Sequence, residues 1–252
     1  MKEKIYTIPL SEAFLSGDEC PFCHLERDAE QRAIRFTLGP SASYMEPEIR
    51  EKTTQFGFCR EHYKKMFDFS NPLGSALIMQ SHVAAILEEL EVQREAPIPA
   101  GKRGLFSRKG TENQPMAQWA KQRVSTCFLC DSVEQTMDRY FATFFYLLSE
   151  PEFRSRVENS NSFCMHHFAQ LLETAQEELP ERHREWFYTK VIPGMEENLR
   201  RVKGDLDWFV AKFDYRNASA DWKNSRDAVK RTMQKLQGGY PADPPFRDAG
   251  KG

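Results

Sequence analysis

Six cysteines and two histidines are spaced as metal ligands. Cys20-Pro-Phe-Cys23 is followed after 35 residues by Cys59-Arg-Glu-His62, and Cys127-Phe-Leu-Cys130 is followed after 33 residues by Cys164-Met-His-His167. These two sets use all 6 cysteines of the chain. Three thiolates and one imidazole form a ligand set that Zn2+ takes in closed tetrahedral sites. Cysteines two residues apart both reach one ion from a tight turn, and Cys-x-x-His does the same from the other end. The sequence therefore predicts two Zn2+ ions per chain, one held by Cys20, Cys23, Cys59 and His62 and the other by Cys127, Cys130, Cys164 and His167. Local sites of this kind are the simpler assignment. The alternative is exchange, in which ligands from both sets share one ion. Iron-sulfur ligation and reduced thiols or disulfides stay open as lesser alternatives, because ligand softness does not by itself exclude iron.

Two further histidines lie beside these sets. His24 follows Cys23, where the second set has Asp131, and His166 precedes His167, which alone matches the Cys-x-x-His spacing. Both are read as neighbours, with His166 a candidate to donate to a carboxylate or backbone group behind the ligands. A catalytic zinc keeps one position for water, whereas here four protein ligands fill each site. The zinc-deaminase pattern is absent, as are a Gly-rich phosphate loop, His-Glu-x-x-His and a Gly-x-Ser-x-Gly elbow. No catalytic residue and no organic cofactor site is assigned.

The elements that must carry these ligands read as helices throughout. Glu46-Pro-Glu-Ile-Arg50 returns as Glu150-Pro-Glu-Phe-Arg154, at an offset of 104 positions against 107 for the paired cysteines and 105 for the third cysteine. The shared order of Cys-x-x-Cys, helix, Glu-Pro-Glu-apolar-Arg and Cys-x-x-His reads as an internal repeat of two units. Residues 1–19 form a short lead-in with one helical turn near Ser11 and Glu12. A helix over 23–36 carries Leu25, Ala29, Ala33 and Phe36 on one stripe and stops at Gly39-Pro40. Another over 75–91 has the stripe Ala76, Gln80, Val83, Leu87 and Leu90, and its His82 is read as a partly exposed or hydrogen-bonded residue. Residues 132–148 are apolar on more than one side and should be buried broadly. A helix over 168–178 closes at Pro180. Met195, Leu199, Val202, Leu206, Phe209 and Phe213 then form a heptad seam that packs a bundle. The last helix, capped by Asn224 or Ser225, stops at Gly238-Gly239.

The predicted fold is all α, a helical bundle of two zinc-stapled repeats plus C-terminal helices. Residues 1–92 form the first repeat, 93–115 a flexible linker interrupted by Pro and Gly, 116–239 the second repeat with the C-terminal helices, and 240–252 a frayed tail. The chain has 252 residues, enough to bury a core without relying on metal alone. A formal net charge of −2 gives no overall pull toward nucleic acid or anionic membrane. No window is apolar enough to span a bilayer and no secretory leader is visible, so a cytoplasmic location is expected. Regularly spaced cysteines in a reducing compartment are more often ligands than disulfides.

The two ligand sets, with Lys212-Phe-Asp-Tyr-Arg-Asn217 and Asn224-Ser-Arg-Asp-Ala228, resemble an uncharacterised bacterial family known as a domain of unknown function. The resemblance implies a cytoplasmic bacterial protein and carries no activity with it. It spans most of the chain, and what it carries over is confined to the eight ligand positions and the Phe-Asp-Tyr-Arg-Asn segment, where Asp214 and Arg216 are expected to pair against the bundle. The resulting expectation is a zinc-binding protein-interaction or regulatory module with a protein partner. One alternative is a thiol switch that releases zinc on oxidation. A weaker one is nucleic-acid binding through Lys102, Arg103, Arg108 and Lys109 of the linker and Arg226, Lys230, Arg231 and Lys235 of the last helix.

Overall fold

The computed structural model describes residues 4–95 and 115–241. Eleven α-helices and two single 3-10 turns make up its regular structure, with no strand among the described residues. The helices are α1 (Lys4–Leu15), α2 (Pro21–Leu38), α3 (Pro47–Phe56), α4 (Arg60–Phe69), α5 (Pro72–Arg94), α6 (Pro115–Ser125), α7 (Phe128–Leu147), α8 (Pro151–Glu158), α9 (Met165–Glu178), α10 (Glu181–Ala211) and α11 (Ala228–Gln237). No helix among the described residues is long and apolar enough to cross a membrane. The interior of the expected linker and all but the first two residues of the expected tail lie outside the described residues.

The chain divides into two compact units that differ from its sequence halves. One combines the described residues of Met1–Ala29 and Gln135–Pro244; the other is built on Glu30–Glu134. The divisions fall inside α2 and α7, so each compact unit draws on both halves of the sequence.

In the first unit the core is aromatic. Phe144 of α7 is fully buried and packs within 6.1 Å, between ring centroids, of Phe14, Phe22, Phe153 and Phe163, mostly edge to face. Such pairs contribute about 0.5–1.5 kcal/mol beyond the area they bury. Phe14 comes from the segment expected to be a lead-in. That segment is instead a 12-residue helix, α1, which buries Leu10, Ala13 and Phe14. Pro9 inside α1 and the lack of an apolar stripe hid it, and tertiary packing overrides the weak local signal.

Helix α10 runs for 31 residues and passes through Pro193. Its buried line of His183, Phe187, Val191, Met195 and Val202 begins twelve residues before the expected seam. Met195 and Val202 are buried as the seam predicts, but Phe213 lies beyond the helix and is 75% exposed. The segment after α10 is held by Lys212, whose Nζ donates to the carbonyls of Asn217, Ala218 and Ala220 at 2.6, 3.0 and 2.5 Å. Asp214 and Arg216 do pair, at 2.6 Å, but with Arg216 exposed to solvent rather than packed into the bundle. The last helix starts at Ala228 with Asp227 at its N-cap, not at Asn224 or Ser225, because the Ser225 hydroxyl donates to Trp222 O and leaves the chain in turns until Asp227. Its stop at Gly238, with φ 84°, is as read.

In the second unit, Ile34, Leu38, Phe58, Met66, Phe69, Ile78, Phe128 and Leu129 form the core. Helix α5 packs on α3 with the face opposite to the expected stripe. Gly74, Ile78 and His82, at steps of four, are buried, while Val83, Leu87 and Leu90 are exposed. The reason is the imidazole: His82 Nδ1 meets Thr54 O at 2.7 Å and its ring lies on Gly57, where a Cβ would come within 2.4 Å of Nε2. A satisfied histidine facing a glycine occupies a core position that hydrophobic periodicity assigns to solvent. On α2, similarly, Phe36 is exposed and Ile34 and Leu38 take the interior.

Candidate metal centres

Each cysteine pair sits at a helix start. Cys20 and Cys127 immediately precede α2 and α7, and Cys23 and Cys130 fall in their first turns. Cys59 and Cys164 are the N-caps of α4 and α9, which puts His62 and His167 one turn inside. Backbone N–H groups reach the sulfurs there, from Cys130 to Cys127 Sγ and from His167 to Cys164 Sγ, both at 3.4 Å. These donors and the positive helix ends favour the thiolate form. The two Glu-Pro-Glu segments start α3 and α8, with the proline in the first turn and Glu48 or Glu152 beside the helix N-terminus.

The eight residues come together in two groups, and the grouping is the exchanged one. Cys20 and Cys23 meet Cys164 and His167; Cys59 and His62 meet Cys127 and Cys130. The expectation of local sets is corrected accordingly. In the first group Nδ1 of His167 lies 3.5 Å from Cys20 Sγ, 3.5 Å from Cys23 Sγ and 3.2 Å from Cys164 Sγ, and Cys23 Sγ is 3.7 Å from Cys164 Sγ. In the second, Nδ1 of His62 lies 3.3 Å from Cys59 Sγ, 3.2 Å from Cys127 Sγ and 3.4 Å from Cys130 Sγ, with Cys59 and Cys130 sulfurs 3.8 Å apart. A tetrahedron with Zn–S near 2.3 Å and Zn–N near 2.0–2.1 Å has S···S edges of about 3.8 Å and S···N edges of about 3.5 Å. Both donor sets fit one ion at their centre.

The far nitrogen of each histidine faces a carboxylate on α2. His62 Nε2 is 3.1 Å from Glu30 Oε1, and Lys65 Nζ holds both oxygens of that carboxylate at 2.5 Å. His167 Nε2 is 3.7 Å from Glu26 Oε2. A carboxylate in this place fixes the tautomer that leaves Nδ1 free to ligate and raises its basicity. Neither glutamate was picked out by sequence reasoning. Their only signal is acidic residues one and two turns beyond Cys-x-x-Cys on the same helix. His166 joins Glu26 and His167 in a looser group, with its ring 5.2 Å from that of His167, and His24 pairs instead with Asp18 at 3.1 Å.

Burial pulls His62 down, but hydrogen bonds to Cys127 and Glu30 outweigh it and lift the imidazole to about 10. His167 is likewise lowered by burial and raised further by Cys164 and Cys20, to about 10. Burial raises Cys127, yet His62 and the backbone donors bring it to about 6. Cys164 is drawn well below the thiol range by hydrogen bonds from Cys20 and Cys23. Cys23 is pushed up by its bonds to Cys164 and Cys20, and Cys130, although its residue is exposed, by partial desolvation of the thiol and by the Cys127 charge. A divalent cation at the centre of either group would favour the thiolate form of its cysteines and the neutral form of its histidine.

Half of the basic set on and just before α11 is engaged within the fold. Lys235 is fully buried, and Arg231 reaches Glu19, Asp205 and Asp227 at 3.3, 3.0 and 2.8 Å. Only Arg226 and Lys230 of that set are exposed.

A match to the family of unknown function DUF6062 covers residues 1–243. The chain is also similar, at 22% identity over 201 residues, to an uncharacterized 23.9 kDa protein in the xynA 3' region of Caldicellulosiruptor sp. (strain Rt8B.4); the alignment covers 79% of this chain and 85% of that one. No solved structure matches.

Proposed function

The chain belongs to the DUF6062 family, and on that premise we propose that its two Cys3His groups each hold one structural Zn2+ ion, making the protein a zinc-stapled helical scaffold for protein interaction. The observation that carries this reading is the edge lengths: four donors per group at the spacing of a single-ion tetrahedron, with a glutamate on the far nitrogen of each histidine. A polynuclear iron-sulfur cluster needs its thiolates at separate irons and so farther apart than these. Filled by four protein ligands, each ion would tie two helix starts that lie far apart in sequence, with no position for substrate.

The interaction part of the reading is supported by apolar side chains left on the surface. Helix α5 exposes Val83, Leu87 and Leu90 at heptad spacing. A protein partner is the occupant whose chemistry suits such a row. Native mass spectrometry of protein purified without added metal tests the zinc part, because it reports the ion count per chain. Two zinc ions per chain are expected. A folded chain free of metal would refute the reading.

A further inference from the structure

The two centres are covered very differently. In the first, Cys20, Cys23, Cys164 and His167 are at most 1% exposed. The segment Lys235–Tyr240 closes over it. Lys235 Nζ donates to Glu19 O at 2.5 Å and Asn161 O at 2.6 Å. Gly238 brings its backbone so near the sulfurs that a Cβ there would lie 3.2 Å from Cys164 Sγ and 3.5 Å from Cys23 Sγ. Tyr240 then donates to Asp18 Oδ2 at 2.8 Å, with the Arg27 guanidinium 4.6 Å from its ring centre. In the second centre Cys127 and His62 are buried, but Cys59 is half-buried and Cys130 is exposed.

We propose that the second centre is an oxidation and metal-exchange site, and that the Lys235–Tyr240 strap keeps the first centre inert. The proposal rests on the reading that both groups hold zinc. The co-reactant is a peroxide. The Cys130 thiolate attacks one peroxide oxygen, the O–O bond breaks, and a sulfenic acid and hydroxide form. The Cys59 thiolate, 3.8 Å away, attacks the sulfenic sulfur, forms the disulfide and expels a second hydroxide. Two electrons pass from the two sulfurs to the peroxide, and two protons from solvent turn the two hydroxides into water. An ion held there would keep only Cys127 and His62 as ligands and would be released to water. Exposure selects Cys130 as the first sulfur to react, since it is the one exposed cysteine of the six.

The test treats the two-zinc protein with hydrogen peroxide and follows it by native mass spectrometry, with free thiols blocked and peptides mapped at each time. The expected result is a one-zinc species carrying a Cys59–Cys130 disulfide, formed on the order of tenfold faster than any zinc-free species. Loss of both ions together, or first oxidation at Cys20, Cys23 or Cys164, overturns the proposal. N-ethylmaleimide on the unaltered protein gives a second readout, in which Cys130 is modified first. Gly238→Val, strained at positive φ and forced against the two sulfurs, should make the first ion leave within a few-fold of the second. If it stays inert in a folded Gly238→Val protein, the strap is not what protects it. A chain that never takes up zinc would sink the structural-zinc reading as well, which separates the two failures.

Discussion

Serine at two ligand positions at once distinguishes the exchanged centres from local ones by counting ions. Cys20 and Cys164 belong to one centre, while Cys20 and Cys59 belong to different ones. Cys20→Ser with Cys164→Ser should therefore leave one zinc per chain, and Cys20→Ser with Cys59→Ser should leave none. Local sets would give the opposite counts. The energies follow the same logic. A structural zinc contributes on the order of 10 kcal/mol in small zinc-dependent units. If one ion supplies half of that here, its loss removes about 5 kcal/mol from a domain stability that is typically about 5–15 kcal/mol. Within a centre the second substitution adds little, because the ion has already gone. The coupling should then be nearly as large as either single effect, about 5 kcal/mol. Between centres, which share no ligand, the effects should add to within about 0.5 kcal/mol. Native mass spectrometry gives the count, and urea unfolding at fixed free zinc gives the energies. Retention of one ion by the Cys20→Ser, Cys59→Ser protein would refute the exchanged assignment.

Glu30→Gln should weaken zinc at the second centre by roughly 10–100-fold in a chelator competition, because the His62 ring loses its charged partner; unchanged affinity would mean that Glu30 does not orient the ligand. Ile78→Ala on the buried face of α5 should cost about 2–4 kcal/mol. Leu87→Ser on the exposed face should stay within about 0.5 kcal/mol, and the reverse order in urea unfolding would contradict the packing described. Burial raises Glu19 from its ordinary 4.5, but Arg201 and Lys235 more than offset this and hold it lower when folded. Its ion pairs therefore contribute their full stability above pH 4.5, and that contribution is lost as pH falls through the depressed value. The stability gap between the natural chain and Glu19→Gln, measured at constant free zinc, should narrow below pH 4.5; a constant gap down to about pH 3 would reject this.

That the eight cysteine and histidine side chains gather into metal-sized groups was legible because cysteines are few and their spacing is strict. The all-α architecture was legible too, although the helices that Pro47 and Pro151 open were not, because the Glu-Pro-Glu segments were read only as a mark of the repeat. The pairing was not. Both halves present the same Cys-x-x-Cys and Cys-x-x-His donors, so local and exchanged tetrahedra satisfy the sequence equally, and only tertiary packing separates them. Helix α5 misled for a different reason. Its interior is filled by Gly74, Ile78 and His82, of which only Ile78 registers as hydrophobic, while Val83, Leu87 and Leu90 supply a stripe that faces out. The first half of α10 was missed because Pro193 reads as a break. Lys235 looked like part of a charged surface, and nothing local announces that two backbone carbonyls wait for it in the interior.

The exchange of ligands also imposes an order on events while the chain is being made. The loop closed by Cys59 and Cys130 is nested inside the one closed by Cys23 and Cys164. No native centre can be completed when only the first half has left the ribosome, although Cys20, Cys23, Cys59 and His62 are already a full set of donors. At roughly 5–20 residues per second, about 2–7 s separate the emergence of Cys130 from that of Cys164. The inner centre closes first, over the shorter loop with the smaller entropic cost. On the structural-zinc reading, an ion captured early by the four donors of the first half would have to be surrendered before either native tetrahedron could form, so free zinc during synthesis would hinder folding as well as serve it.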